Sequence, residues 1–262
     1  MKFSLKSNCK KKACGIKNPP KAADRDDQFK YINNMQKSFF NEGNPVISVD
    51  TKKKENIGEF KNAGATWQQD AIAVKDHDFP SDAKGKAVPY GIYDVQKNKG
   101  TIFLGTTCDT PSFAVESIEK WWKTEGKERY PNSNMLLILA DSGGSNSSRS
   151  RVWKYKIQKN LCEQFDLTVY VCHYPPGSSK WNPIEHRLFS QISRNWAGRP
   201  LDSHETALKY IRTTKTSTGL EVNAHYVRKK YKTGEKVSNK QMESLSINKH
   251  EKFPKWNYVL NP

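Results

Sequence analysis

Apolar residues recur at helical spacing between Asp24 and Gly43, where Phe29, Ile32, Met35 or Gln36, and Phe39 share one side before Gly43 stops the run. The period changes at Pro45. "PVISVD" is a β-branched run ending in an acid, and "PYGIYDVQKNKGTIFLGTT" holds two strand-like runs around Asn98, Lys99 and Gly100, a hairpin signal. "SFAVESIEKWWKTEG" returns to helical spacing through Phe113, Val115, Ile118 and Trp121 or Trp122. "MLLILAD" is an unbroken apolar run, the composition of a strand covered on both faces. Trp153, Ile157 and Leu161 then mark a helix, "LTVYVCHYPPG" a strand stopped by prolines, and Pro183 opens a last helix. This order predicts an α/β fold: a mixed sheet flanked by helices, with the strands ending at Asp50 and Asp141 parallel and adjacent. Three parts are expected: a basic arm with one helix over 1–43, a core over 44–212 and a basic extension over 213–262. In that extension "HYVRKKYKTGEKVSNK" interleaves basic and aromatic residues, which suits a segment packed on the core, a nucleic-acid contact or solvated surface.

Composition narrows the class. The 262 residues are 35% hydrophobic, enough for a real core, and 44 Lys and Arg against 27 Asp and Glu leave a net charge of +17. An excess of that size points to nucleic acid as partner. Cys9, Cys14, Cys108, Cys162 and Cys172 lack CxxC spacing and read as reduced thiols; Cys172 and His173 have no second pair for a zinc site. Neither a membrane-length apolar run nor the apolar core of a signal peptide is visible, so a cytoplasmic protein with no membrane partner is expected.

Three acids carry the candidate chemistry. Asp50 and Asp141 each end a strand, and in open α/β sheets ligands bind at such carboxyl ends. Glu185 belongs to "SKWNPIEHRLFSQI", where Asn182, Pro183 and Glu185 fit a helix N-cap, its first turn and a capping-box acid. At about 100° per residue, Glu185 also falls inside the arc that Ile184, Leu188, Phe189, Ile192 and Trp196 mark as buried, so a capping pattern can mount a ligand facing the sheet. Three converging carboxylates repel one another unless cations sit between them, and all-oxygen ligands suit Mg²⁺ or Mn²⁺. Two such ions ~4 Å apart would clamp a phosphate, with neighbouring carboxylates roughly 4 to 8 Å apart. Lys52, Lys53, Lys54, Lys180 and Arg187 could hold a DNA backbone, although each alone also suits an ordinary surface charge. His173 and Asn182 are expected beside the site, His173 as a contact or as a satisfied loop histidine.

With these acids identified, the sequence resembles the DDE transposases, and specifically the ISAzo13 family of bacterial insertion sequences, distant relatives of the Tc1/mariner and IS630 group. "NPVISVDTKKKENIGEFKNAG", "LLILADSGGSNSSRSRVWK" and above all "CHYPPGSSKWNPIEHRLFSQISRNWAGRPL" carry the likeness, which also takes in "HDFPSDAKGKAVPYGIYDVQKNKG" and "FAVESIEKWW". The spacing from Asp141 to Glu185 is longer than mariner-type elements usually show and fits ISAzo13 better. The resemblance implies an RNase H-like core with Asp50, Asp141 and Glu185 as its acids. It implies metal-dependent cleavage of DNA at the element's ends, attack of the freed 3′-hydroxyl on target DNA, a homodimer or higher oligomer on DNA, and a nucleoid-associated location. Only a basic arm precedes Pro45 where such families carry a helix-turn-helix, so an N-terminally truncated copy is expected. Two other functions share the fold and charge: a catalytically idle DNA-binding remnant or regulator, and a standalone RNase H-like nuclease.

Overall fold

The computed structural model describes residues 22–67, 69–77 and 79–262. Cys9, Cys14 and the Lys10 to Lys12 run of the expected arm lie outside the described residues. Nine strands are present among them: β1 Val46–Thr51, β2 Glu55–Ile57, β3 Gly85–Asp94, β4 Lys99–Gly105, β5 Met135–Ala140, β6 Thr168–His173, β7 Glu221–Tyr226, β8 Ile247–Lys249 and β9 Asn257–Leu260. They form one mixed sheet in the order β7-β4-β3-β1-β5-β6-β9-β8, with β2 paired to β3. β1, β5 and β6 run parallel, while β3 is antiparallel to both β1 and β4. The expected α/β architecture is therefore the observed one, and the strands that end at Asp50 and Asp141 are parallel neighbours.

The apolar run of β5 is buried because both its faces are covered, with alternate side chains going to opposite sides. Leu136, Ile138 and Ala140 join Phe113, Ile118 and Trp121 of α2 (Pro111–Trp121) and Trp153 and Ile157 of the helix Arg151–Ile157. Leu137 and Leu139 meet Ile32 and Phe39 of α1 (Ala22–Asn41) on the other side. Helical spacing in the first forty residues is thus explained by packing on this second face.

The helix carrying Glu185 departs from the regular one predicted. The helix opens at Pro183 and Ile184 as expected, widens into a π turn over Glu185–Phe189, and resumes α-helical geometry at Ser190–Asn195. Its buried face nevertheless consists of Ile184, Leu188, Phe189, Ile192 and Trp196. Two strand glycines let this turn settle onto the sheet. A Cβ on Gly91 of β3 would stand 2.5 Å from Phe189 and 2.9 Å from Ile184, and one on Gly100 of β4 would collide with Leu188. Gly91 also faces Asp50 across the β1–β3 ladder, so the turn lies over the strand pair that ends in the first acid.

Residues beyond 213 supply both edges of the sheet. β7 adds parallel to β4, and β9 adds antiparallel to β6 with β8 outside it. The basic stretch then returns over α2: the Val227 amide donates to the Leu104 carbonyl at 2.9 Å, and the Tyr231 hydroxyl donates to Glu116 at 2.8 Å. The stretch is anchored to the core at Val227, Tyr231 and Val237, while Arg228, Lys230, Lys232, Lys236 and Lys240 are presented to solvent. Among the described residues no helix is long and apolar enough to cross a membrane.

Candidate active site

Register sets the first pair of acids. Val49 of β1 lies beside Ala140 of β5, so Asp50 and Asp141 follow as neighbours at the carboxyl ends of two parallel strands. Each carboxylate is held by its own loop: Asp50 Oδ1 accepts the Thr51 N–H at 2.7 Å, and Asp141 Oδ1 accepts the Gly143 N–H at 3.1 Å.

Glu185 is brought to the same edge by Asn182. The expected cap is not made by the Asn182 side chain, which turns instead to β1. Its Oδ1 accepts the Ser48 hydroxyl at 2.5 Å and its Nδ2 donates to the Val49 carbonyl at 3.2 Å. The Ser48 hydroxyl oxygen also accepts the Ile184 N–H at 3.0 Å, so the strand caps the helix. Asn182 and Ser48 are both buried, and a buried network with every member satisfied fixes geometry. The turn that carries Glu185 is thereby pinned one and two residues before Asp50.

The electrostatics show how closely these acids share their surroundings. Burial, followed by the charge of Asp141, pushes the Asp50 carboxyl up to about 8, with Glu185 and Asp109 adding to the shift and the Thr51 N–H opposing it. Burial also raises Asp141, against the Gly143 hydrogen bond and with Asp109 adding to the rise. Glu185 is raised by burial and by Asp141. Among the described residues, no three His, Cys, Asp or Glu side chains stand close enough together to cage a metal ion as they are. The acids therefore feel one another across an open edge. Their chemistry fits a hard divalent cation: oxygen donors only, with mutual repulsion that a cation would relieve.

Sequence reasoning misses one member of this group, Asp109. It sits between β4 and α2, accepts the Thr51 hydroxyl at 2.9 Å, and joins Asp50 and Asp141 in lining one cleft. The Thr51 hydroxyl also lies 3.4 Å from that of Ser145, which ties the three loops together.

The remaining predicted residues divide. Lys53 and Lys54 are exposed on the rim of the acid cleft, and Lys180 and Arg187 are exposed beside Glu185 in the chain. Lys52 differs: it is buried, 3.1 Å from Glu55, with its ammonium 4.5 Å from the Trp196 ring centre, and so is not presented to a phosphate. His173 is buried as well, and burial holds its imidazole down at about 4. Its neutral Nδ1–H donates to the Asp141 carbonyl at 2.8 Å, while Nε2 accepts the Tyr258 hydroxyl at 3.2 Å. His173 thus braces the backbone of Asp141 and does not face solvent.

Comparison with known proteins supplies the family. The family described as "Rhodopirellula transposase DDE domain" matches residues 1–262, the whole chain. This chain belongs to that DDE transposase family. No curated protein matches the sequence. Among solved structures, this DDE transposase chain is similar to the "Mos1 transposase paired-end complex with left transposon end" at 12% identity and a TM-score of 0.47, over 75% of this chain and 55% of that one. The "Crystal structure of the Mos1 mariner paired end complex with Mn" gives 12% and 0.47, over 75% and 56%. The "Crystal structure of the Mos1 Strand Transfer Complex" gives 14% and 0.48, over 71% and 51%. The chain spans about half the length of these structures.

Proposed function

We propose that this DDE transposase chain carries out metal-dependent cleavage of DNA at the ends of an insertion sequence and joins the freed 3′ end to target DNA. One observation carries the proposal: Asp50 and Asp141 end adjacent parallel strands, and Glu185 stands on a turn pinned to β1 one and two residues before Asp50. These three are the proposed catalytic acids and ligands of two Mg²⁺ or Mn²⁺ ions. Bound ions would activate the attacking oxygen and stabilise the leaving one in an in-line displacement. The protein's own part is to hold the acids. Asn182 and Ser48 fix the Glu185 turn against β1, His173 fixes the backbone at Asp141, and Thr51 spaces Asp50 from Asp109. Lys53, Lys54, Lys180 and Arg187 are the proposed contacts to the DNA backbone. The same proposal includes a catalytic core over 44–212 flanked by the 1–43 arm and the 213–262 extension, a homodimer or higher oligomer on DNA, and a cytoplasmic, nucleoid-associated site of action.

The test is nicking and strand joining on DNA that carries the element's ends, with Mg²⁺ or Mn²⁺ supplied. Asp141→Asn should lower both by at least about a thousandfold while DNA retention and thermal unfolding stay near those of the parent chain. Retention without metal-dependent cutting by the parent chain would instead favour an idle binding protein. Cutting of branched DNA without joining would favour a nuclease.

A further inference from the structure

A second cleft, of ≈ 750 Å³, adjoins the acid cleft and shares Asp141 and Gly143 with it. Four cations line it, and they come from separate parts of the chain: Arg149 after β5, Lys154 on the helix Arg151–Ile157, Lys249 on β8 and Lys255 before β9. Elsewhere this protein pairs many of its lysines with acids, as in Lys99 with Glu221, Lys159 with Glu163, Lys229 with Glu116 and Lys252 with Asp27. Among the described residues, none of the four cleft cations makes an ion pair, and Asp141 is the only acid in the lining.

Lys154 is the telling member. It is partly buried, donates to the Ser148 carbonyl at 2.7 Å and lies 5.2 Å from the centre of the Tyr258 ring, so its ammonium is fixed within the lining. Burial and then the charge of Lys249 both work against its protonation. A partly buried ammonium facing a second cation is unfavourable alone and becomes favourable when an anion enters between them. The hydroxyls of Ser147 and Ser148 add oxygen-binding donors to the lining.

We propose that this cleft binds the phosphodiester backbone of the DNA strand next to the reacting phosphate, with Lys154, Lys249, Arg149 and Lys255 as its phosphate contacts. The volume is in the range of a drug-sized ligand, which allows one or two nucleotides. Its role is positional: a strand held here on the β8–β9 side is led to Asp141. The proposal rests on the reading of the chain as a DNA transposase, but it concerns binding and needs no chemistry.

Binding of a fixed-sequence DNA duplex should be followed by fluorescence anisotropy in EDTA across a salt series. The samples are the parent chain, Lys154→Gln, Lys249→Gln with Lys255→Gln, and Lys127→Gln as an exposed, charge-matched control beyond the far end of α2. The cleft variants should bind about tenfold more weakly, with the slope of log K against log salt reduced by roughly 1 for each phosphate-binding cation removed, and Lys127→Gln should match the parent. Lys249 and Lys255 are exposed, so their double variant keeps the test valid even where Lys154→Gln unfolds. Cleft variants that bind like Lys127→Gln overturn the subsite and leave the transposase reading standing. A parent chain that binds no DNA overturns both.

Discussion

The two ends of β1 hold carboxylates with different partners, although burial raises both Asp94 and Asp50. Near its start, beside Ile47, Asp94 accepts the Tyr130 hydroxyl at 2.9 Å and the Lys97 N–H at 3.1 Å, with Arg129 at 3.6 Å. Glu125, close by, accepts from Thr101 at 2.9 Å and from Arg129 at 2.5 Å. Burial pushes Glu125 up, but the His225 imidazole 3.8 Å away, the Thr101 hydrogen bond and the charge of Arg129 outweigh it and leave the carboxyl lowered. At the other end Asp50, Asp141 and Asp109 have backbone amides and a hydroxyl for partners, and Asp50 has the other acids, Glu185 included, for neighbouring charges. Near the start of β1 the carboxylates have Arg129 beside them, whereas among the described residues Asp50, Asp109, Asp141 and Glu185 make no ion pair. Under the proposed function, that end of the strand gives up stability for its acids.

The difference can be broken most strongly from the paired end. Arg129→Met leaves Asp94 and Glu125 buried without their cation, and should destabilise the chain by about 3–5 kcal/mol in chemical denaturation. A smaller effect is expected from Gly91→Ala. Its methyl group would press on Phe189 and Ile184, lower stability by about 1–3 kcal/mol and shift the turn that carries Glu185. Strand joining should therefore fall further than the folded fraction does, measured on the same samples by activity and by circular dichroism.

The smallest effect sharpens the contrast through pH. Asp50 titrates near 8 in the folded chain against 3.8 ordinarily, so the folded state holds a proton that the unfolded state has lost between those values. Stability contributed at this position is therefore intact below about pH 4, declines as pH rises and is fully lost above about pH 8. Asp50→Asn, in EDTA, should unfold like the parent near pH 4 and be more stable by about 1–2 kcal/mol near pH 8. A constant difference across that range would show that neither burial nor the neighbouring acids shift Asp50.

What can be read from the sequence follows the range of the interactions involved. β1 and β6 announce themselves through β-branched runs and β5 through an unbroken apolar one, and Asp50 and Asp141 stand out because they end such strands. Glu185 is recoverable from helical phase despite the π turn, since Ile184, Leu188 and Ile192 still mark the buried side. Asp109 gives no such signal: "TTCDTP" reads as the approach to a helix, and the contact that defines it, with Thr51, spans 58 positions. Asn182 looks like a cap because its partner Ser48 lies 134 positions away. β7, β8 and β9 escape notice for another reason. β8 and β9 have only 3 and 4 residues, and β7, an edge strand, alternates buried Val222 and Ala224 with exposed Glu221 and Asn223 just before a strongly basic stretch.

The brace behind Asp141 has a consequence in time. His173 holds that backbone directly while Tyr258 steadies its other ring nitrogen, and β6 gains its outer neighbour only when β9 arrives. At the pace of protein synthesis the ribosome reaches Tyr258 roughly 10–40 s after Asp50. A nascent chain has all three acids long before it has the strand that steadies the second, so the site is finished only as this last part of the sheet is made.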